Sequence, residues 1–389
     1  MIFSSSTLLY APAILALSIY MLVVRVKRYQ RRDAIASHFK DRPLSSMTTK
    51  EAYNIMMQLQ ELEFPYAFRK SRKVALLKAG GIPTMTRVFV VTGQILTKNA
   101  PKRSVDTEIL LREVHSQDRT SERYMQSVAR MNFLHSRWRK AGKILDEDML
   151  HTLGSGIVET FKIVAEQEWR DLTDVEKCAL GVFHKNLGED MQIPYHFLPS
   201  HETGWRDGLH FAEELVDWTI SYESKAAMPN ENSTRYVQIY IDFLHPGAKN
   251  FLRKSLALEI DEPMRSALTL ELPGPLLRGF VYATRAIRKI VMRHLSLPRT
   301  SNQGTKMVQD LNTETGRYNF WTIYASQPWY VSKPSVDESF QPEGYELKTI
   351  GPLPQIGKGV EEMEMTMEFL RRNTLSQCPF SARNIAKAN

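Results

Sequence analysis

Cysteine is nearly absent. Cys178 and Cys378 are the only two in 389 residues, and no CxxC pair occurs. Neither a zinc ribbon nor a disulfide framework can be assembled from them, which fits a reducing compartment for the bulk of the chain. Other signatures are missing too. LGSGIVE lacks the third glycine of a dinucleotide loop, and there is no GxxxxGK[ST], HExxH, GxSxG or EF-hand loop. The ten histidines are scattered, and none pair at i, i+4 on a helix. These absences remove the dinucleotide, P-loop and zinc-protease readings and leave other enzymes open. Acid is absent from one stretch. Between Glu63 and Asp106 there is no carboxylate but nine lysines and arginines. Such a stretch suits anionic headgroups or propionates, and equally an ordinary solvated face. No repeat of 20–50 residues is visible.

What is present begins with an uncharged run, TLLYAPAILALSIYMLVV, from Thr7 to Val24. At 1.5 Å per residue it spans about 27 Å, close to the ~30 Å hydrocarbon thickness. The flank before it, MIFSSS, is uncharged. The flank after it carries Arg25, Lys27, Arg28, Arg31 and Arg32. A signal peptide has the opposite order of charge and a small-residue cleavage site, so the run reads as an anchor. The positive-inside rule places the main domain in the cytosol, as a single-pass protein. The formal charge of +8 falls to about +3 without those five residues. The basic balance is therefore local, and no nucleic-acid partner is expected.

The rest patterns as helices, and the expected fold is all-α: a single large helical domain with one N-terminal transmembrane helix. Thr48 or Thr49 caps a helix beginning near Glu51, and Thr173 with Glu176 makes a capping box. Helices are expected over 121–142, 146–167, 173–188, 205–223, 229–259 (broken near His245-Pro246-Gly247) and 275–295. TRVFVVTGQIL reads as a strand or a buried helix. Three segments follow: residues 1–32 as anchor and basic flank, 33–330 as the helical domain, and 331–389 as a tail. The tail is read as loosely packed and holds one short amphipathic helix near 360–373.

Two sets of residues invite chemistry. His135 lies within the 121–142 helix, and Tyr124, Val128, Met131 and Leu134 fall near its face. A neutral imidazole turned to an apolar interior can bind haem iron; the same spacing suits a core histidine bonded to a carbonyl. Arg103-Ser104-Val105-Asp106-Thr107 places Arg103 and Thr107 on one helix face. Arg103 there can pair with a propionate or polarise oxygen, or make a local contact with Asp106.

At these residues the sequence resembles a family. ARMNFLHSRWRKAGKI, DEDMLHTL and EWRDLTDVEKCALGVFHKNLGEDMQIP resemble the fungal membrane-bound oxygenases. The best-known member is the endoplasmic-reticulum oxygenase of mycophenolic acid biosynthesis, a secondary-metabolism enzyme. LEFPYAFRKSRKVALLKAGGIPTMTRVFVVTGQI and KRSVDT resemble the same family. The likeness covers about residues 50–330 and includes the anchor. These proteins are similar in their catalytic domain to the bacterial latex-clearing proteins, helical rubber oxygenases that contain haem b.

The resemblance implies oxygen-dependent cleavage of a carbon–carbon double bond in an isoprenoid chain. It places the axial haem ligand on His135 and carries Arg103 and Thr107 over from the bacterial R-x-x-K-T. The lysine position is Asp106 here. A lysine can close the second iron position, whereas aspartate is a poor ligand for ferrous haem, so the site here is open or differently gated. The bacterial acid proposed as a base has no counterpart before Arg103; either Asp106 substitutes, or no such base is needed, or this homologue catalyses something else. The implied partners are the lipid bilayer, a lipophilic prenylated small molecule and molecular oxygen. The helix PLLRGFVYATRAIRKIVMRHL adds an interfacial pattern: Leu276, Leu277, Phe280, Ile287 and Val291 form an apolar stripe, and Arg278, Arg285, Arg288, Lys289 and Arg293 supply charge. A packed helix with a solvated basic face has the same pattern. The competing class is a membrane-tethered lipid-binding or scaffold protein without chemistry. A haem oxidoreductase acting on another lipophilic metabolite is a third.

Overall fold

A computed structural model describes residues 5–93, 100–244, 249–320, 343–373 and 380. Helix α1, Ser5–His38, is continuous over 34 residues with Pro12 near its start. There follow α2 (Thr49–Gln58), α3 (Pro65–Lys78), α4 (Pro83–Val91), α5 (Ala100–Ser116), α6 (Glu122–Lys140) and α7 (Asp146–Gln167). Then come α8 (Asp174–Asp190), α9 (Gly208–Ala226), α10 (Glu231–Leu244), α11 (Lys249–Ala257), α12 (Met264–Ala267), α13 (Pro275–His294) and α14 (Val360–Asn373). One two-residue hairpin, Leu311–Asn312 with Arg317–Tyr318, is the only sheet among the described residues. The all-α class is as expected. The TRVFVVTGQIL segment forms α4 and is largely exposed, with only Thr86 of the helix buried; its residues 94–99 lie outside the described set, as does the expected break at 245–247.

Local chemistry sets the ends. Thr48 Oγ1 accepts from Glu51 N at 3.2 Å while Glu51 Oε2 accepts from Thr48 N at 2.8 Å. Thr173 and Glu176 repeat the arrangement at α8. Each box satisfies two amide donors that a helix start leaves open. In the core, α7 packs between α3 and α9, and α8 packs on both α9 and α2. The α8–α9 approach depends on glycine. A Cβ on Gly181 would lie 1.8 Å from Gly208 O, and one on Gly208 2.4 Å from Cys178 O. Neither site has room for a side chain.

The interior also carries charge. Lys78 of α3, 2% exposed, holds Glu159 of α7 at 2.7 Å and Glu223 of α9 at 2.8 Å. Three helices thus share one buried cation.

Among the described residues, α1 alone is a single helix long and apolar enough to cross a membrane. It does not stop at the basic flank, as the boundary at residue 32 implied, but runs on into the domain. Nor are all the flank's cations solvated. Arg28 is buried, lies 5.0 Å above the Trp169 ring and donates to Ser296 O at 2.9 Å. Arg31 pairs with the buried Glu63 and donates to Arg299 O at 3.0 Å. Both arginines weld α1 to the domain.

The expected looseness of the tail is corrected over its described part. Met363, Met367 and Leu370 of α14 are buried in packing against α6. Arg130 of α6 donates to Ile350 O, Lys358 O and Gln355 O at 2.6, 2.8 and 2.8 Å. A buried guanidinium needs acceptors for its N–H groups, and three of these are carbonyls of the tail.

Lys78→Met leaves two buried carboxylates without their cation. The expected loss is about 3–5 kcal/mol of unfolding free energy, read as a lowered denaturation midpoint of the full chain in detergent.

Candidate functional site

Helices α5 and α6 are joined by five residues, Gln117–Ser121, and pack on each other. A link that short makes the pair antiparallel. The start of α5 therefore runs beside the end of α6, and Arg103 comes near enough to His135 for its charge to act on the imidazole.

His135 Nδ1 is buried and has no hydrogen-bond partner. Burial, then the positive charges of Arg103 and Arg139, push the imidazole down to about 4. It is neutral at any physiological pH. The side chain is nonetheless only half-buried. Arg103 is in the same condition: burial lowers its pKa first, partly offset by Tyr236 and Asp106, and it too is half-buried.

The wall beside Arg103 is aromatic. Its guanidinium lies 5.8 Å from the Phe89 ring centre, and Phe89 stacks on Tyr236 at 5.4 Å. Tyr236 donates to Leu76 O at 2.8 Å, and burial pushes its phenol up to about 12. The ring needs Gly80 beneath it, where a Cβ would lie 2.2 Å from Tyr236 Cδ1. Thr107 Oγ1 donates to Arg103 O at 2.8 Å, one turn back in its own helix. Asp106 is buried, and its Oδ2 accepts from Lys102 Nζ at 2.6 Å; the same ammonium donates to Gly351 O at 2.7 Å. The Lys102 ammonium thus ties the start of α5 to the tail, with Asp106 as its counter-charge.

Sequence reading missed a second part of this interior. Along α5, beyond Arg103, lies His115. Its Nδ1 donates to Leu111 O at 2.7 Å, and its ring centre is 5.9 Å from that of His184 on α8. His184 Nδ1 likewise donates to Leu180 O at 2.7 Å. Burial pushes His115 down to about 3, with help from His184 and Arg72, and His184 to about 4. Arg72 of α3 is a half-buried cation with its pKa lowered by burial to about 9; it donates to Met307 Sδ at 2.9 Å. The acid-free stretch was the available signal for it. That stretch is not one solvated face: Arg72, Lys78 and Arg103 all point inward.

Another cluster has the composition of a hydrolytic triad. Ser155 Oγ lies 3.1 Å and Glu223 Oε1 3.0 Å from His151, but both meet the same nitrogen, Nε2. A relay needs its acid and its nucleophile on opposite ring nitrogens. All three side chains are buried, so the cluster belongs to the Lys78 network.

The comparisons with known proteins add to this geometry. The chain is 31% identical over 393 residues to the ER-bound oxygenase mpaB′ of Penicillium brevicompactum, spanning 93% of this chain and 92% of that protein. The chain belongs to the ER-bound oxygenase family. It is also 38% identical to the ER-bound oxygenase mpaB of Penicillium roqueforti, over 59% of this chain and 78% of the relative. The mpaB protein of Penicillium brevicompactum is 32% identical over 80% of this chain and 75% of the relative. No protein-family model matches the sequence.

A histidine held neutral in the fold but protonated when unfolded makes stability rise with pH between the two pKa values. For His135 that window runs from about 4 to 6.5. His135→Phe should flatten the pH dependence of unfolding free energy in this window by up to about 1.4 kcal/mol per pH unit relative to the parent chain. Identical slopes would show that the imidazole is not held neutral.

Proposed function

We propose that this chain is a membrane-anchored oxygenase that uses haem b, with His135 as axial ligand, to oxidise and cleave a carbon–carbon double bond of a lipophilic prenylated substrate. One observation carries the assignment: a desolvated, neutral imidazole, whose Nδ1 has no partner among the described residues, lies within electrostatic reach of the half-buried Arg103. The family's naming as ER-bound oxygenases supports the reaction class.

The donor set suits haem. The porphyrin brings four ligands of its own and asks one side chain from the protein. Among the described residues no group of three His, Cys, Asp or Glu side chains converges to hold a bare ion. When bound, ferrous haem would supply the iron that activates molecular oxygen, and the alkene itself would be oxidised as both oxygen atoms enter the two carbonyl products. The chain's own residues would do the rest. His135 would hold the group from α6. Arg103 would offer its charge to a propionate or to oxygen, strengthened by exclusion of water. Thr107 has given its proton to Arg103 O and keeps lone pairs that can accept. Asp106, engaged by Lys102, would fix the N-terminal end of α5 instead of shuttling a proton. Phe89 and Tyr236 would give the apolar chain of the substrate a flat wall.

The reading extends to place and topology. The chain would reside in the endoplasmic reticulum as a single-pass protein, with its domain in the cytosol, and serve secondary metabolism. Its catalytic domain would be of the rubber-oxygenase type.

A second ligand assignment has its own observation. His184 and His115 already donate Nδ1–H to carbonyls, the arrangement that orients a metal-binding imidazole. The alternative class, a lipid-binding or scaffold protein, predicts no chromophore at all.

Full-length protein purified in detergent from haem-replete cells separates these. A Soret band is expected, and His135→Ala should abolish it while His184→Ala keeps it. No band in the parent chain would end the haem reading. A band that survives His135→Ala but not His184→Ala would move the ligand to α8. In a companion experiment, Arg103→Leu should lower haem affinity or oxygen-dependent carbonyl formation from prenylated phenols by at least about tenfold. Equal affinity and turnover in that variant would remove Arg103 from the site.

A further inference from the structure

Helix α13 shows a polarity that its sequence pattern does not reveal. Three of its cations, Arg285, Arg288 and Lys289, face the protein. Arg285 pairs with the buried Glu259, and Arg288 meets the buried Glu168 at 3.0 and 3.1 Å. Arg288 also donates to Gln167 O at 2.6 Å, and Lys289 to Ala165 O and Glu166 O at 3.1 and 3.2 Å. These carbonyls end α7, where a helix presents partial negative charge. The opposite face is apolar and points outward. Leu276 is 91% exposed, Phe280 61%, Ile287 60% and Ile290 59%, and no residue of α13 is buried. At 100° per residue these four positions fall within one stripe, opposite Arg285 and Lys289.

An apolar stripe of this kind, fixed outward by a ring of ion pairs, needs a cover. The place of α13 supplies one. It packs against α1, the helix with membrane-spanning length and hydropathy. Tyr20, near the domain-side end of the apolar run, donates to Leu295 O at 2.8 Å, and the chain just beyond α13 receives Arg28 and Arg31. The end of α13 is therefore level with the point where α1 leaves the hydrocarbon.

We infer that α13 is a second membrane element, lying along the bilayer surface with Leu276, Phe280, Ile287 and Ile290 in the acyl region of the leaflet that faces the domain. Arg285, Arg288 and Lys289 are spent on the protein, so the contact is made by apolar insertion and does not need anionic headgroups. Together with α1, it would hold one side of the domain against lipid.

Full-length protein in phosphatidylcholine nanodiscs tests this. With Cys378→Ser as background, single spin labels are placed through Phe280→Cys, Ile287→Cys and, as a control, Glu213→Cys, an exposed residue of α9. Co-elution with the disc reports α1 on its own. At positions 280 and 287, oxygen accessibility should exceed that of a water-soluble nickel chelate, with a ratio several-fold above the control, and the ratio should not change when phosphatidylserine is added. Water-like ratios at both positions would overturn the inference. So would labels shielded from both reagents, which would mean that protein covers the stripe. Lipid contact that appears only with phosphatidylserine would overturn its apolar basis.

Discussion

Buried charge must find a partner, and Lys78 shows how much of this fold follows from that rule. An ammonium in a low-dielectric interior is tolerable only when carboxylates surround it. Lys78 meets two, from different helices, and thereby fixes α3, α7 and α9 relative to one another. The device recurs. Arg119 grips Asp190 through two bonds at 2.8 and 2.6 Å, with the Tyr124 hydroxyl donating to the same carboxylate. Arg170 takes both oxygens of Glu176, the residue that also caps α8. Against this background the interior around Arg72, Arg103, His115 and His135 is different. There the imidazoles are neutral by desolvation, and the guanidiniums face an aromatic ring and a thioether. Most buried cations of the fold meet carboxylates, Arg130 meets carbonyls instead, and Arg103 has an aromatic ring beside it.

The join between α1 and the domain is of the same kind. Arg28 and Arg31 have the composition of a topology signal, and in the fold they are structural bonds to Trp169, Glu63 and the strand of chain after α13. One residue type suits two jobs: its charge closes a run apolar enough to cross a membrane, and its planar guanidinium stacks and donates within the domain.

Much of this was legible in the sequence because it is local. Thr48 with Glu51 and Thr173 with Glu176 announce helix starts by spacing alone. The antiparallel approach of Arg103 and His135 follows from two helices and a short link. What escaped was whatever depends on partners distant in sequence. Arg130 gives no sign that its bonds go to residues beyond 349, so the tail read as loose. The direction in which the α13 arginines point depends on Glu168 and Glu259, which no periodicity can pair with them. His184 and His115 carry their orienting carbonyls at i−4, a pattern that any helical histidine could adopt, so nothing distinguished them until both proved desolvated. Asp106 was read as a departure at a lysine position; Lys102 stands one turn earlier on the same face, a local pairing that KRSVDT already offers, whereas its bond to Gly351 O is visible only in three dimensions.

The continuity of α1 has a mechanical consequence. Its 34 residues make a rod of about 51 Å, of which only the first half fits within hydrocarbon. The remainder is a strut set into the domain, with no hinge between lipid and fold. A flexible tether would leave the body free to tumble above the bilayer. A strut removes that freedom: its tilt is transmitted to the whole body, and any opening toward the lipid keeps its compass bearing and height. A change in bilayer thickness that tilts the helix would swing the body with it, so the membrane's own mechanics would set which face of the protein its lipids meet.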